Sequence, residues 1–245
     1  MQHTRERRVI RAVVTQKPLV RLLAEKRLSE SKPSLGLNKL LQYLLQLEER
    51  LARLGDEAET LGLISNARNA FNMVFNSIRI TAEAIDHYER DWPNHIAGFS
   101  DEKVKKTYDE FIVRIGEITK SSLIRTLSYI EYAAKEKIRT STDAAFSKIN
   151  NALSKGEPVN LSWIINASMT NGLVDFTTQK EWEGIIELRN CMVHNNGFAE
   201  FTETYRVAGM TLDFQKGKNL RFDIGIFASL IEIAMILFIN WLRKV

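Results

Sequence analysis

The segment from Thr178 to Gly197 constrains the fold most strongly, because it carries its own start, periodicity and stop signals. Thr178 and Glu181 have the spacing of a capping box, and the Asn-Asn-Gly run at 195–197 is typical of a helix C-terminus. Apolar residues recur at helical spacing between these signals and predict one stripe along a single face. The stripe consists of Trp182, Ile185, Ile186 and Val193.

Arg189 falls in the middle of this apolar stripe. An isolated buried guanidinium would cost several kcal/mol, which is about as much as a domain can lose. We therefore expect Arg189 either to have a buried partner or to point into a cleft.

Asn190 and His194 are four residues apart, so their side chains lie one above the other on the same helix. Arg189 is displaced from His194 by roughly 140° around the helix axis. One straight helix cannot easily bring both side chains to one point. Two copies of the helix that cross antiparallel at a two-fold axis could place an Arg from one chain and a His from the other on one phosphate.

The sequence Arg189-Asn190-x-x-x-His194, followed by Asn-Asn-Gly, a short hairpin and a long apolar last helix, resembles the HEPN family of all-α nucleases over the C-terminal part of the chain. The resemblance implies a metal-independent ribonuclease that works as a homodimer. Arg189 would stabilise the scissile phosphate, Asn190 would orient it, and His194 would transfer protons with the ribose 2′-hydroxyl. Asn195 and Asn196 would contact RNA, although a turn-forming role also explains them.

The activity implied by this resemblance is cleavage of single-stranded RNA to a cyclic phosphate and a 5′-hydroxyl, in a toxin or defence effector. A protein antitoxin or inhibitor is then a further expected partner, and no cofactor is needed. The alternative from a different class is a non-catalytic helical scaffold. Such a scaffold would use the same dimer surface to bind RNA, a nucleotide or a partner protein.

Other kinds of catalytic site find no support in the sequence. It has no glycine-rich phosphate loop, no His-Glu-x-x-His and no nucleophile elbow. The four histidines show no zinc-type spacing with each other or with the single cysteine, so no metal site is predicted. Cys191 is interpreted as a spacer in the motif. One cysteine and the lack of a secretory pattern near the first residues predict a cytoplasmic protein.

Residues 1–32 form a basic arm with nine Lys or Arg and three Asp or Glu. Such an arm could follow a phosphate backbone, and a solvated helix face explains it equally well. A helix with a break near Pro18 is predicted within this arm, and a linker follows it at 29–34.

The next part of the chain predicts a helical hairpin. Leucines alternate steps of three and four along a first helix and should pack on a second helix at 57–90. These leucines are Leu37, Leu40, Leu44, Leu47, Leu51 and Leu54. Residues 1–98 are accordingly assigned to an N-terminal helical extension and residues 99–245 to a HEPN-like domain.

The second domain should begin with a helix capped by Ser100 whose pattern continues towards Ile138, as one helix or as two. Short helices should follow from cap signals at 140–143 and at Asn160. The second of these should turn Trp163, Ile164 and Ala167 inward. Alternation at 205–207 and 211–214, with a turn-like stretch at 215–219, predicts a small β-hairpin.

Asp223 should cap the last helix, Ile224 to Leu242, which is long and apolar enough to suggest a membrane span. Glu232 in its middle would cost about 2.5 to 3.5 kcal/mol at the bilayer centre. A buried helix is therefore favoured, with Arg189 or Arg125 as the donor for Glu232. The sequence thus predicts an all-α, HEPN-like up-and-down helical bundle with a small β-hairpin before the last helix and an N-terminal helical extension.

Overall fold

The computed structural model describes residues 37–220 and 224–245. The predicted basic arm and the predicted Asp223 cap lie outside these residues. The described part is mainly helical, with one two-stranded antiparallel sheet before the last helix, which confirms the predicted fold class. Its elements are α1 (Asn38–Thr60), α2 (Ser65–His95), α3 (Asp101–Thr140), a 3-10 turn (Ala144–Phe146), α4 (Ser147–Ser154), α5 (Leu161–Thr170), α6 (Phe176–His194), β1 (Glu203–Val207), β2 (Met210–Phe214) and α7 (Ile224–Leu242).

Helices α1 and α2 form the predicted hairpin, and the leucine seam of α1 is buried as far as Leu51, with Leu54 half-buried. The predicted bounds of the second helix were wrong, because α1 continues to Thr60 and α2 begins only at Ser65. Gly62 reverses the chain between them with a φ of 88°. The N–H of Leu63 donates to the carbonyl of Ala58 at 2.9 Å and closes the turn.

Helix α3 is one continuous helix of 40 residues. The side chain of Ser100 caps it by accepting a hydrogen bond from the N–H of Lys103, as predicted. The two short helices also begin as expected, with Asp143 capping the 3-10 turn and Asn160 capping α5. The prediction that Trp163 faces inward was wrong, because its side chain is exposed.

A partly buried ion pair joins α1 to α7. Arg50 Nε donates to Glu232 Oε1 at 2.5 Å, and Arg50 Nη2 donates to Glu232 Oε2 at 3.1 Å. The neighbouring Tyr43 and Ser229 hydroxyls share a 2.8 Å hydrogen bond, and burial raises the pKa of Tyr43 to about 12. The sequence-based candidates for pairing with Glu232, Arg189 and Arg125, were therefore wrong.

Helix α7 lies against α1 and α3, and most of its residues are buried. Within the described residues it is the one helix long and apolar enough to cross a membrane, and 72% of the apolar window is buried inside the protein. One continuous hydrophobic core includes residues of α1, α2, α3 and α7. The N-terminal hairpin and the C-terminal half thus share a core, while the division at residues 98 and 99 stays a prediction.

The predicted β-hairpin turns at Ala208 and Gly209, whose φ angles are both positive. Alternate residues of the two strands are buried and include Tyr205, Val207, Leu212 and Phe214. Strand β1 packs on α6, the helix that carries the Arg-Asn-x-x-x-His motif. Close packing at this point depends on Gly184, since a Cβ added there would lie 2.6 Å from Tyr205 Cβ.

Gly184→Ala should lower the free energy of unfolding by about 1 to 3 kcal/mol, because the added methyl group forces the hairpin away from α6. Gly116→Ala is the matched control, since its added Cβ would meet only Ile224 Cγ1 at 3.9 Å. The control should gain up to about 1 kcal/mol from helix propensity. Urea unfolding measures both changes, and equal behaviour of the two variants would contradict the tight contact.

Arg50→Met should lower the free energy of unfolding by about 3 kcal/mol, because Glu232 would stay buried without a cation. Adding Glu232→Leu should recover at least half of that loss, since no buried charge then remains. Arg53→Met changes an exposed arginine of the same helix and serves as the control. Urea titration of the wild type, Arg50→Met, Glu232→Leu, the double variant and Arg53→Met tests this, and a fully additive double variant would show that the two side chains do not interact.

Candidate functional site

Helix α6 begins three residues earlier than the sequence indicated. Asp175 is its N-cap, and Asp175 Oδ1 accepts a 2.7 Å hydrogen bond from the N–H of Thr178. The predicted capping box of Thr178 and Glu181 was therefore wrong. Glu181 instead accepts a 2.8 Å hydrogen bond from the N–H of Ala208, so it ties the turn of the β-hairpin to α6.

The end of α6 agrees with the predicted stop. The N–H groups of Asn195 and Gly197 both donate to the carbonyl of Cys191, at 3.2 and 2.9 Å. Asn196 and Gly197 have positive φ angles, which reverse the chain directly after His194. These hydrogen bonds and angles show that Asn195 and Asn196 form the turn after the helix. The side chain of Asn195 is half-buried and that of Asn196 is exposed.

The apolar stripe of α6 leaves the core before its end. Trp182, Ile185 and Ile186 are buried as predicted, but the expectation for Val193 was wrong because its side chain is 43% exposed. Arg189 lies between the buried and the exposed part of the stripe and is itself partly buried. It therefore stands where the covering helices end and the surface begins.

Arg189 is a cation without a counter-ion among the described residues. Its Nε is buried and has no hydrogen-bond partner there. Its Nη1 makes a long hydrogen bond of 3.5 Å to Asn190 Oδ1. Every carboxylate of the described residues lies more than 4 Å from the guanidinium nitrogens. The guanidinium is held in place by packing while part of its charge is left unmatched.

A small polar cavity of about 60 Å³ opens beside Arg189, at the junction of α3, α5 and α6. By volume it can take a few water molecules or one small polar group. Its lining residues are Leu127, Glu131, Asn160, Leu161, Ser162, Ile186, Arg189 and Asn190.

Glu131 is the acid in this lining, and both of its oxygens are occupied. Glu131 Oε1 accepts from Lys135 Nζ at 2.6 Å, and Oε2 accepts from the N–H of Leu161 at 3.3 Å. The lysine and the N-terminus of α5 thus offset the charge of this carboxylate. Glu131 does not neutralise Arg189, although both residues line the cavity.

The structure brings Arg189 and Asn190 together at the cavity but leaves His194 outside it. His194 is the last residue of α6 and is exposed, as Val193 beside it is. The predicted divergence of Arg189 and His194 around one helix is therefore present in the single chain.

Glu187 is a residue near the motif that the sequence interpretation missed. It is half-buried one turn before Asn190. Burial, followed by the charges of Glu203, Glu183 and Glu200, raises its pKa, although the nearby Asn190 amide acts in the opposite direction. The spacing of three residues between an acid and an amide on a helix was the available signal.

Cys191 is buried on a different side of α6 from the cavity, and burial raises the pKa of its thiol. These properties are those of a structural cysteine. Among residues 37–220 and 224–245, no three His, Cys, Asp or Glu side chains lie close enough together to hold a metal ion.

Comparison with protein-family models, with curated proteins and with solved structures finds no match for this chain. The resemblance to the HEPN family therefore rests on the Arg-Asn-x-x-x-His motif and the elements that flank it.

Glu187→Gln should stabilise the fold at neutral pH. The pKa of Glu187 is raised in the folded state. Such a carboxyl contributes most to the free energy of unfolding below its ordinary pKa, and that stabilisation is lost as the pH rises through the folded pKa. The neutral amide avoids this loss, so its advantage should be present at pH 7 and disappear below about pH 4. Glu183→Gln is the control, since it removes an ion pair with Lys180 and should not stabilise. Urea unfolding between pH 4 and 8 measures the stability of both variants relative to wild type. A pH-independent effect of Glu187→Gln would contradict a raised pKa of Glu187.

Proposed function

We propose that this protein is a metal-independent endoribonuclease that cuts single-stranded RNA at a site shared between two protomers. The proposal joins the resemblance of Arg189-Asn190-x-x-x-His194 to the HEPN motif with one observation, the missing counter-ion of Arg189 among the described residues.

Other partly buried arginines of the protein show what a structural role looks like. Arg50 makes two bonds to Glu232, and Arg68 is paired with Asp56 at 2.6 Å. Arg189 occupies a comparable position at the edge of the core without such a carboxylate. A guanidinium presents its donors in a planar fork that matches phosphate, so an RNA phosphate is a suitable external partner.

The proposed reaction needs no group besides the RNA and these side chains. The 2′-oxygen attacks phosphorus and forms the cyclic phosphate as the bond from phosphorus to the 5′-oxygen breaks. His194 takes the proton of the 2′-hydroxyl, and the imidazolium that results gives a proton to the leaving 5′-oxygen. His194 is the proton-transfer residue, and Arg189 stabilises the additional charge on the phosphate oxygens.

Two protomers are needed because Arg189 and His194 face different directions on α6. In the proposed homodimer, Arg189 of one protomer and His194 of the other contact the same phosphate. Asn195 and Asn196 follow His194 at the exposed end of α6 and supply contacts to neighbouring nucleotides. The basic residues of the 1–32 arm add backbone contacts of lower specificity. A cytoplasmic toxin or defence effector, held in check by an antitoxin protein, is the biological setting that we propose.

The second candidate function is a non-catalytic dimeric scaffold that binds RNA, a nucleotide or a partner protein. The observation that favours it is the position of His194, which is outside the cavity that Arg189 and Asn190 line. An anion could bind at Arg189 without any proton transfer by His194.

Purified protein should cut single-stranded RNA in the presence of EDTA, and Arg189→Ala and His194→Ala should each lower the rate by about 10²-fold or more. An equimolar mixture of the two inactive variants should regain part of the activity. Each mixed dimer then contains one site with an intact Arg from one chain and an intact His from the other. Denaturing gels of labelled RNA measure cleavage, and the mixture is co-refolded so that subunits exchange.

Arg125→Ala and His87→Ala change exposed residues outside the site and are the matched controls. Circular dichroism and light scattering establish that every variant is folded and dimeric. Cleavage by Arg189→Ala or His194→Ala at the wild-type rate would reject this site. Binding of RNA by the wild-type protein without cleavage would favour the scaffold, and activity that fails to return in the mixture would place both groups in one chain.

A further inference from the structure

Trp163 differs from the other three tryptophans of the chain in its exposure to solvent. Its relative exposure is 38%, whereas Trp92 and Trp182 are 1% exposed and Trp241 is 2% exposed. Within residues 37–220 and 224–245, no other aromatic ring stacks on this indole and no Lys or Arg lies over it. Its ring therefore offers solvent an apolar surface that the fold leaves uncovered.

The packing of α5 is supplied by other side chains. Ile164 and Ile165 are buried, at 0% and 3% exposure, and Ser168 Oγ accepts a 2.9 Å hydrogen bond from Trp241 Nε1 of α7. On the outer side, Asn166 Oδ1 accepts a 2.8 Å hydrogen bond from Gln179 Nε2 of α6. Helix α5 is thus fixed to its neighbours independently of Trp163, and it presents the indole on a rigid support.

Trp163 lies beside the cavity that Arg189 lines. Asn160 and Ser162 line this cavity together with Arg189 and Asn190. Trp163 follows Ser162 directly, and its N–H donates to Asn160 Oδ1 at 2.9 Å. Residues three positions apart at a helix are spatial neighbours, so the indole stands next to the wall of the cavity.

The surface around the indole is polar. Asn160 and Asn166 are exposed, and the hydroxyl of Ser162 makes no hydrogen bond within the part of the chain that the structure describes. A protein-protein contact would need a larger continuous apolar area at its centre. An isolated aromatic face beside polar groups and a cation is instead the combination that binds single-stranded RNA, because a base stacks on the ring while the cation contacts a phosphate.

We propose that Trp163 is a stacking platform for an unpaired base of the RNA, on the nucleotide next to the phosphate that Arg189 binds. The inference rests on the RNA substrate of the proposed function and deepens it. A base inside a duplex is stacked on both sides, so only an unpaired base can offer a face to the indole. The platform therefore gives a physical reason for selection of single strands, and it assigns Trp163 to binding and not to proton transfer.

A thermodynamic cycle over protein and strand tests the stacking. One strand is a 2′-O-methyl RNA oligonucleotide, which lacks the attacking hydroxyl and stays intact. The other is a 2′-O-methyl ribose-phosphate strand of the same length without bases. Trp163→Leu should raise the Kd of the strand with bases by about 5- to 100-fold and leave the Kd of the abasic strand within about twofold. Arg189→Ala should weaken both strands, since both carry the phosphate. Fluorescence anisotropy of labelled strands measures each Kd.

Two further variants are the controls for this cycle. Trp163→Phe keeps an aromatic ring and should stay within about fivefold of the wild-type Kd. Phe176→Leu is the matched control, because Phe176 is 66% exposed but lies about 20 Å before Arg189 along α6. Its Kd should stay within about twofold of wild type. In cleavage assays Trp163→Leu should raise KM by the same factor as Kd and keep kcat within about threefold, because stacking is present before and during the reaction.

Tryptophan fluorescence of the wild-type protein gives a direct readout of the contact. The strand with bases should quench the emission, and the abasic strand should not. Trp163→Phe should abolish this quenching, since the three remaining tryptophans are buried. Quenching that persists in Trp163→Phe would overturn the proposal.

The outcomes separate this inference from the proposed function. An unchanged Kd in Trp163→Leu, with RNA cleavage by the wild type, would overturn the platform and leave the nuclease intact. Binding that depends on Trp163 without any cleavage would support the platform and reject the nuclease in favour of the scaffold. A wild-type protein that neither binds nor cuts RNA would overturn both. Loss of the dimer in Trp163→Leu, measured by light scattering, would assign the indole to a protein contact and overturn the proposal. If Trp163→Leu does not fold, the fluorescence of the wild type and of Trp163→Phe decides.

Discussion

The ion pair between Arg50 and Glu232 is the interaction on which the arrangement of the helices depends. Helix α7 is almost entirely apolar and buried, and Glu232 stands in its middle with 2% of its side chain exposed. A carboxylate at such a place requires a cation, so α7 can pack only where one reaches it. Arg50 on α1 supplies that cation with two bonds, and this brings the N-terminal hairpin onto the C-terminal half.

The same ion pair leaves Arg189 available for function. Glu232 is paired with Arg50, and Glu131 accepts hydrogen bonds from Lys135 and the N–H of Leu161. These two acids therefore already have partners other than Arg189. Arg189 therefore keeps its charge at the border between core and solvent, where Coulomb interactions are stronger than in bulk water.

Local signals in the sequence predicted local structure well. The Ser100 and Asn160 caps, the stop after His194 and the alternation of the hairpin strands depend on neighbouring residues, and all are present. The partner of Glu232 could not be found in this way, because Arg50 lies 182 residues away and only the packing of α1 on α7 brings them together. Val193 fits the helical period but is exposed, since periodicity shows which face it shares and not where the covering helices end.

The exposure of Val193 has a physical meaning in the proposed dimer. Successive residues of a helix turn by about 100°, so the direction midway between Arg189 and His194 lies between those of Val193 and Asn190. A two-fold axis along that direction would place Val193 at the centre of the contact between two α6 helices. The five residue steps from Arg189 to His194 correspond to about 7.5 Å along the axis, so antiparallel crossing would bring each Arg level with the partner's His. In the proposed dimer an apolar side chain would be covered at this point by the partner protomer, and this agrees with an exposed valine beside an exposed histidine in the single chain.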